Sequence, residues 1–416
     1  MWPNLLPPWK KKRSATVHSF LDQLPALAEQ FDTPLFVYDY ENLAESAQAY
    51  ALDNTTVLSA YALKANSNLH LLKILADFGL GADVTSGGEL FLALKAGISS
   101  EKIIYSGVGK TASELQMAIE AKIRAIHVES EMEWELLAKL TTQSKSKTPV
   151  GIRVNPNIFA ETHPYISTGQ ASSKFGVDPE TAVSLFHKTA NHPYLMAVGI
   201  AAHIGSQIKE VKAHHLTASY LVNFANQLKS EGVSLEYLDV GGGLGVDYAN
   251  QKDLPSIGDW ITAVSKPILD ANYKLIMEPG RSIVGPAGYL LTKVLYTKQK
   301  ADRQIVIVDA AMNDLLRPTL YQAQHRIELL NPSSQKPVKI NVVGPICESG
   351  DWLAKDIFLP PVQPGDLLLI HDVGAYGFAM GSNYNGRLRP AEILLKDQTP
   401  TLIRHRQNLT DLLQGF

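Results

Sequence analysis

The sequence predicts an α/β fold, a (β/α)8 TIM barrel followed by a second, mainly β C-terminal domain. Eight short apolar segments alternate with amphipathic helical patterns between residues 61 and 277, as in a chain of β-α units. After Pro286, strand-like segments are separated by Pro, Gly and Asn turns instead. Eight alternations fit a closed barrel better than an open doubly wound sheet. The order of the strands in space is not visible in the sequence, so the open sheet stays an alternative.

The predicted barrel strands are short and rich in β-forming residues. They are Tyr61–Ala65, Gly81–Val84, Ile103–Ser106, Ala125–Val128, Val150–Val154, Val198–His203, Tyr237–Val240 and Lys274–Met277. Helical patterns lie between them, at Leu69–Phe78, Gly88–Ala96, Ala112–Ala121, Glu131–Leu140, Pro179–Ala190, Ala213–Ser230 and Trp260–Leu269. Three of these helices are followed by a glycine where a left-handed C-cap is expected, at Gly79, Gly97 and Gly232.

The chain has 416 residues, more than one core usually supports, so two domains are expected. We expect the barrel at residues 41–285 and the β domain at residues 286–416. The strand-like segment Thr33–Asp39 falls in the N-terminal segment, residues 1–40, and is expected to pair with the C-terminal domain. The strands predicted for that domain are Tyr289–Tyr296, Ile305–Asp309, Val338–Val343 and Leu367–His371.

The composition is that of an ordinary globular protein, with 45% apolar and 19% charged residues. A net charge of −3 gives no general attraction to nucleic acid or to an anionic membrane. No apolar h-region follows the basic cluster Lys10–Arg13, and no run of about 18 apolar residues occurs, so neither a secretory signal nor a membrane span is expected. The single cysteine, Cys347, excludes an intrachain disulfide and favours the cytoplasm.

Lys64 closes an apolar run that begins near Val57. An ammonium group at the end of such a segment is costly to bury. Such a lysine either carries a covalent aldehyde cofactor on its amine or extends its aliphatic stem until the charge reaches water. The residue alone does not separate these two interpretations.

Other uncommon polar residues follow the predicted strands, at the end where TIM barrels place their reactive groups. The glycine run Gly241–Gly243 would let backbone N–H groups approach a phosphate. It is not a dinucleotide fingerprint, because Val246 stands where that motif requires glycine. No metal-ligand spacing is evident, and the adjacent His214 and His215 are predicted to lie on a solvated helix. The polar residues of this predicted rim are Lys64, Asp83, Arg153, Asn155, His203, Gly241–Gly243 and Glu278–Arg281.

Seven sequence blocks in a fixed order carry a family resemblance. They are Tyr61–Asn66, Asp83–Leu90, His203–Gln207, Asp239–Gly245, Glu278–Arg281, Cys347–Asp351 and Gly374–Tyr376. With these blocks the chain resembles the fold-type III (alanine-racemase-fold) pyridoxal-phosphate decarboxylases, and within that family the diaminopimelate decarboxylases. The resemblance runs from Thr33 to Glu392, and it includes the stretch from Ile166–Gly169 to Ser173–Gly176, which borders the distal end of the substrate in that family.

The resemblance implies pyridoxal 5'-phosphate as the cofactor, held covalently by Lys64. Glu278 would face the ring nitrogen and keep it protonated, and His203 would stack on the ring. The catalytic residues implied are Lys64, His203 and, as a proton donor, Cys347. The cofactor-binding residues implied are Lys64, Asp83, His203, Ser206, Gly241, Gly242, Gly243, Glu278, Gly280, Arg281 and Tyr376. The substrate-binding residues implied are Arg281, Arg317, Tyr321, Glu348 and Tyr376, and no metal is implied.

The activity implied by the resemblance is decarboxylation of meso-2,6-diaminopimelate to L-lysine and CO2, the last step of lysine biosynthesis. The resemblance also implies a homodimer with composite active sites, in which the loop of Cys347 and Glu348 reaches the neighbouring subunit's site.

Three alternatives remain open. A decarboxylase of ornithine, lysine or arginine would typically carry Cys-Asp in place of Cys347-Glu348, and Gln324 departs from the aromatic residue more often found in the family. A racemase would be expected to place an arginine, rather than Glu278, at the ring nitrogen. A non-catalytic cofactor-binding protein would be expected to lack the second domain.

Overall fold

The computed structural model describes residues 13–52, 55–158, 173–248, 254–300, 302–331 and 334–416. The chain divides into two compact units. One unit is Ala44–Pro286, and the other joins the chain up to Leu43 to Ala287–Phe416. None of the helices in the described ranges is long and apolar enough to cross a membrane.

Three elements precede the barrel strands in the chain. They are helix α1 (Arg13–Phe31), strand β1 (Leu35–Asp39) and helix α2 (Tyr40–Tyr50). Helix α1 is not predicted from the sequence. Pro25 lies inside it, and proline lacks the N–H donor that a helix interior needs. Packing compensates for this defect, because α1 buries Phe20, Leu24 and Leu27 in one apolar cluster with β1.

Eight parallel strands form a closed barrel in the order of the sequence. They are β2 (Val57–Ala62), β3 (Gly81–Val84), β4 (Ile103–Tyr105), β5 (Ala125–Val128), β6 (Thr148–Arg153), β7 (Leu195–Ala201), β8 (Tyr237–Asp239) and β9 (Lys274–Met277). β2 pairs with β3 on one side and with β9 on the other, which closes the ring. The predicted barrel is therefore confirmed, and the open sheet is excluded.

The first barrel strand begins and ends earlier than predicted. It spans Val57–Ala62 rather than Tyr61–Ala65, and Leu63–Ala65 form a 3-10 turn. The register with β9 starts at Val57, so the pairing with a distant strand sets the beginning of β2. As a result, Lys64 lies just beyond the strand, in the turn.

Helices separate the strands of the barrel. They are α3 (Leu69–Asp77), α4 (Gly87–Lys95), α5 (Ala112–Ala121), α6 (Glu131–Ser144), α7 (Pro179–Ala190), α8 (Val211–Ser230), α9 (Ile257–Asp270) and the short α10 (Arg281–Val284). Side-chain oxygens of Ser86, Ser130 and Asp178 accept backbone N–H groups at the starts of α4, α6 and α7. The predicted C-cap glycines Gly79 and Gly97 have φ values of 83° and 87° and Gly232 has 88°, as the left-handed conformation requires.

Two strand glycines make room for aromatic side chains inside the barrel. A Cβ atom at Gly199 would lie 2.2 Å from the ring of Tyr237, and one at Gly151 would lie 2.4 Å from the ring of His127. The two buried rings meet through a 2.9 Å hydrogen bond between His127 Nε2 and the Tyr237 hydroxyl. The barrel interior below the rim is therefore partly polar.

The other unit is built on a nine-stranded sheet within the described residues. Its later elements are β10 (Gly288–Lys300), β11 (Arg303–Val308), α11 (Arg317–Tyr321), β12 (Ile327–Leu329), β13 (Val338–Val343), β14 (Trp352–Leu359), β15 (Leu367–Ile370), β16 (Ala391–Lys396) and β17 (Thr399–Arg404). The order is β14-β13-β11-β10-β1-β16-β17, and β15 joins β10 and β12. Strand β1 thus lies between β10 and β16, pairing antiparallel with the first and parallel with the second.

Candidate active site

The turn after β2 and the end of β3 bring two charged residues together. Lys64 Nζ lies 3.1 Å from Asp83 Oδ2, and the lysine side chain is 40% exposed whereas that of Asp83 is fully buried. The ammonium group thus has an ionic partner and access to water, which removes the cost that its sequence position suggested. Gly280 packs beside this turn, because a Cβ there would lie 3.1 Å from Ala62 Cβ.

The loop after β8 runs close to the segments that follow β7 and β9. A Cβ atom at Gly242 would lie 2.2 Å from the carbonyl oxygen of Glu278, and one at Gly241 would lie 2.5 Å from His203 Nδ1. Gly241 and Gly243 have φ values of 65° and 114°, which residues with a Cβ rarely adopt. These three positions therefore require glycine, and their backbone presents no side chain to a ligand.

His203 follows β7 and is held by this glycine loop. The backbone N–H of Gly242 donates to His203 Nδ1 at 3.2 Å, so that nitrogen carries no proton. Desolvation first, and then the positive charges of Arg153 and Lys64, hold the pKa of His203 well below its usual value. The imidazole is accordingly neutral at physiological pH.

Arg281 begins α10 and is buried. One guanidinium nitrogen donates to the Tyr248 hydroxyl at 2.7 Å and another to Ser206 Oγ at 3.1 Å. The loops after β7, β8 and β9 are thereby tied to one guanidinium. Two predicted residues, Ser206 and Arg281, are brought together, and Tyr248 joins them without having been predicted.

Glu278 follows β9 and is almost completely buried. Burial first, and then the negative charge of Asp83, raise the pKa of Glu278 to about 7. Ser106 donates its hydroxyl to Glu278 Oε1 at 3.3 Å. Even with the positive charges of Lys64 and Arg153 nearby, this carboxyl group changes protonation near neutral pH.

The predicted histidine pair divides between buried and exposed positions. His215 is exposed, but His214 is buried, so the prediction of a solvated helix is wrong for His214. The ring packs edge-on against Trp260, with centroids 5.6 Å apart, and neither ring nitrogen has a hydrogen-bond partner among the described residues. Burial lowers the pKa of His214 to about 4, and Gly243 would touch this ring if it carried a Cβ.

Part of the predicted substrate-bordering stretch, Ile166–Gly169, lies outside the described residues. Its later part is anchored to the barrel. The Arg153 guanidinium lies 4.8 Å over the Phe175 ring, and the N–H of Gly176 donates to Glu129 at 3.1 Å. Arg153 also pairs with Glu129 at 3.1 Å.

In the other unit, the loop before β14 carries Cys347 and Glu348, both exposed. The N–H of Cys347 donates to Asn385 Oδ1 at 2.8 Å. The Tyr384 hydroxyl donates to Glu348 Oε1 at 2.5 Å. The sequence does not predict the roles of Tyr384 and Asn385. They lie in a turn more than 30 residues after the Cys347 loop, and no local pattern indicates that the two segments are in contact.

The same loop is joined to the segment that carries the predicted substrate residues Arg317 and Tyr321. Thr319, between them in α11, donates its hydroxyl to the carbonyl of Gly350 at 2.7 Å. Arg317 is buried, with a guanidinium nitrogen 2.7 Å from His325 Nε2, and Tyr321 is half-buried. The structure thus links these residues to Cys347 and Glu348 within one unit.

Tyr376, the last residue predicted for the site, follows β15 and is half-buried. Its φ of 58° is left-handed, a conformation that non-glycine residues seldom adopt. Gln324, which departs from the family pattern, is exposed.

Residues 41–285 match the family described as pyridoxal-dependent decarboxylase, pyridoxal binding domain. The chain belongs to the pyridoxal-dependent decarboxylases. The diaminopimelate decarboxylase of Aquifex aeolicus is 43% identical to it over 385 residues, which are 92% of each protein. The resemblance identified from the sequence blocks is confirmed.

Solved structures of this family share the fold. The crystal structure of diaminopimelate decarboxylase from Helicobacter pylori, complexed with L-lysine, matches with a TM-score of 0.90 and 40% identity, covering 94% of this chain and 98% of that one. A lysine/ornithine decarboxylase from Vibrio vulnificus, complexed with putrescine, matches with a TM-score of 0.79 and 21% identity, covering 91% and 98% of the two chains.

Pyridoxal phosphate is the cofactor of this decarboxylase family, and the rim of the barrel fits it. Lys64 offers an accessible amine. The glycine loop after β8 offers backbone where any Cβ atom would collide with neighbouring loops. Buried Glu278 offers a carboxyl group whose raised pKa shows that the nearby positive charges of Lys64 and Arg153 only partly balance its burial. In pyridoxal phosphate, the aldehyde suits the lysine amine, the phosphate suits the glycine loop and the protonated ring nitrogen suits Glu278.

Proposed function

We propose that this protein decarboxylates meso-2,6-diaminopimelate to L-lysine and CO2. The observation that carries the proposal is its 43% identity to a diaminopimelate decarboxylase over 92% of each protein. The Helicobacter pylori relative was crystallised with L-lysine, the proposed product. The lysine/ornithine decarboxylase is only 21% identical and supports the fold alone.

Bound pyridoxal phosphate supplies an electron sink for the carbon atom that loses CO2. Lys64 would hold the cofactor through its amine, which Asp83 orients at 3.1 Å. Glu278 would hold a proton at the ring nitrogen. His203, neutral and fixed at Nδ1, would cover the ring without adding charge.

The loops after β7, β8 and β9 would hold the phosphate where they meet. Gly243 and Gly280 would offer it backbone N–H groups, because an approaching oxygen meets no side chain there. The N–H groups of Gly241 and Gly242 already donate to Asp239 and His203, so these two glycines contribute by letting the backbone come close. The backbone of Arg281 and the hydroxyl of Ser206 would add to this site, and the hydroxyl of Tyr376 completes the set that the family resemblance implies.

The distal end of the substrate carries a carboxylate and an ammonium group. Arg281, Arg317 and Tyr321 are proposed to bind the carboxylate, because a guanidinium fork matches the planar anion. Glu348 binds the ammonium group, and Cys347 gives a proton to the carbon that has lost CO2. Glu348 also distinguishes this chain from ornithine-type enzymes, which typically have aspartate there.

The decisive experiment offers purified, cofactor-loaded protein meso-diaminopimelate, L-lysine, L-ornithine and L-arginine separately, and measures CO2 released from each. We expect release from diaminopimelate to exceed the others by at least about a hundredfold in kcat/KM, because the other amino acids lack the distal carboxylate. Faster turnover of ornithine would overturn the substrate assignment. Racemisation without CO2 would show a different reaction class.

The proposal includes a homodimer in which Cys347 and Glu348 complete the site of the second copy. Co-expressing Lys64→Ala with Cys347→Ala protein tests this, since one of the two sites in each mixed dimer would combine an intact Lys64 with an intact Cys347. We expect about a quarter of wild-type activity from a random mixture, against almost none from either variant alone. Lack of recovery in dimers shown to be mixed would argue that each site belongs to one chain.

A cytoplasmic location is also proposed. Cys347 is exposed and must stay a thiol to donate a proton, and the reducing cytoplasm preserves thiols. Fractionation of cells expressing the protein would check it.

A further inference from the structure

Two carboxyl groups lie side by side inside the barrel. Asp239 ends β8, Glu278 follows β9, and the two parallel strands are hydrogen-bonded neighbours. Asp239 is fully buried and Glu278 is 9% exposed. One oxygen of each, together with a ring nitrogen of His127, lie within 4.8 Å of one another.

The hydrogen bonds around the pair are incomplete. Asp239 Oδ1 accepts the N–H of Gly241 at 2.8 Å, but buried Oδ2 receives no N–H or O–H from any described residue. A buried carboxylate oxygen without a donor is costly, whereas a protonated one can itself donate. The carboxylate of Glu278, with an oxygen within 4.8 Å, is an acceptor for such a proton.

No cation in the described part of the barrel neutralises both groups. His127 Nδ1 lies 4.0 Å from Asp239 Oδ2, but burial first, and then Lys110 and Arg153, lower the pKa of His127 to about 3, so its ring is uncharged. Lys64 pairs with Asp83, and Arg153 pairs with Glu129.

Burial and mutual repulsion favour a proton on such a pair. Desolvation, and then the charge of Glu278, raise the pKa of Asp239 well above its usual value, and burial raises that of Glu278 to about 7. Geometry distinguishes the two groups, because Glu278 Oε1 accepts the Ser106 hydroxyl whereas Asp239 Oδ2 accepts from no described residue. Glu278 also faces the positive charges of Lys64 and Arg153. The charged and titratable groups facing the pair are Asp83, Lys64, Arg153, His127 and Tyr237.

We propose that Asp239 and Glu278 share one proton, with Asp239 as the neutral acid that donates to Glu278. Glu278 then remains the anion of the pair, oriented toward the ring nitrogen that the proposed function assigns to it. Asp239 is in this sense a positioning residue, one step removed from the cofactor. The role of the pair, orienting Glu278 toward the ring nitrogen, rests on the proposed function. The shared proton itself does not.

Asp239→Asn tests the proposal, because an amide keeps the acceptor for Gly241 and a donor for Glu278 while carrying no titratable proton. Asp239→Ala removes both. We expect Asp239→Asn to keep kcat within about threefold of wild type, and Asp239→Ala to lower kcat by more than about tenfold with little change in KM. The matched control is Asp270→Asn on α9, an exposed aspartate paired with Lys266.

A direct readout is the infrared band of a protonated carboxyl group in the cofactor-loaded protein. Burial also raises the pKa of Asp39 to about 6 and of Asp314 to about 7, so the spectra are recorded at about pH 8, where both are mostly ionised. We expect the band in wild type and in Asp270→Asn, and its loss in Asp239→Asn. The pH titration of the bound cofactor's absorbance should be unchanged in Asp239→Asn and shifted in Asp239→Ala.

Absence of the band in wild type would overturn the proposal without any variant. So would its persistence in Asp239→Asn, an Asp239→Asn protein as impaired as Asp239→Ala, or a stoichiometric metal ion that purifies with wild type and is lost from Asp239→Asn. If wild type releases CO2 from none of the amino acids but shows the band, the proposed function fails and the shared proton stands.

Discussion

Lys64 and Asp83 lie 19 positions apart in the sequence, and their charged atoms are 3.1 Å apart. The register of the barrel explains the meeting, since Ala62 at the end of β2 pairs with Asp83 at the end of β3. The sequence therefore predicts that residues following neighbouring parallel strands lie close together at one end of the barrel. The contact between Tyr248 and Arg281 is not predictable in this way, because Tyr248 lies in a loop whose path no local sequence pattern indicates.

Lys64→Ala is expected to abolish covalent cofactor attachment. It also leaves buried Asp83 without its 3.1 Å ionic partner, so some loss of stability accompanies it. Absorbance of the bound cofactor after dialysis, and borohydride labelling followed by peptide mapping, measure this. Lys73→Ala, at an exposed lysine on α3, is the control and should label like wild type. Undiminished labelling at another lysine would refute the role of Lys64.

At the scale of elements, most barrel segments were predictable because each strand and helix has its own local pattern. Helix α1 was missed because Pro25 lies inside it, and the start of β2 was misplaced because β9, far along the chain, determines it. The solvated position predicted for His214 was wrong because only packing of α8 against α9 decides which histidine of an adjacent pair turns inward.

The loop after β8 gives a prediction at this scale. Gly242→Ala would set a Cβ 2.2 Å from the Glu278 carbonyl, so one of the two backbone segments must move. We expect cofactor affinity to fall at least about tenfold and unfolding free energy to drop by about 1–3 kcal/mol. Cofactor titration and thermal unfolding measure the two effects.

Gly258→Ala is the matched control for that substitution. Gly258 lies in α9, and its nearest atom, Ser256 Oγ, would be 3.7 Å from a Cβ. The change should leave affinity unaltered and stabilise the helix by up to about 1 kcal/mol. Equal cofactor affinity in both variants would show that the glycine loop does not shape the site.

Across the whole molecule, the acid side of the stability profile depends on buried neutral imidazoles. Burial lowers the pKa of His127 to about 3, of His214 to about 4 and of His203 well below the usual 6.5. Between these values and 6.5 the unfolded chain binds protons that the folded chain does not. The contribution of these imidazoles to stability is therefore full above about pH 6.5 and declines as the pH falls. Asp39 and Asp314, whose pKa values are raised by burial, contribute with the opposite sign.

His214→Gln should flatten this decline. The pKa shift of His214 from 6.5 to about 4 amounts to about 2 kcal/mol of stability lost between pH 7.5 and pH 5, and the variant should lose that much less over the same interval. Urea unfolding at the two pH values gives the difference. His215→Gln, at the exposed neighbour on the same helix, should keep the wild-type slope; if both variants behaved alike, burial of His214 would not be the cause.

The two-unit architecture was predictable from the change of pattern after Pro286, but the strand order of the larger sheet was not. Placement of β1 between β10 and β16 depends on pairings between residues at least 250 positions apart in the chain. Hydrophobic alternation indicates that a strand exists and which of its faces is apolar, but it does not determine with which other strand it pairs.

The hydrogen bond from Thr319 to Gly350 fixes a spacing. Arg317 lies two residues from one end of that bond and Glu348 two residues from the other, so a cationic and an anionic side chain are held at a set separation by a single stretch of polypeptide. In the proposed homodimer, Arg317 serves its own copy's site and Glu348 serves the other. One short stretch of polypeptide would then set the spacing between the two sites of the pair.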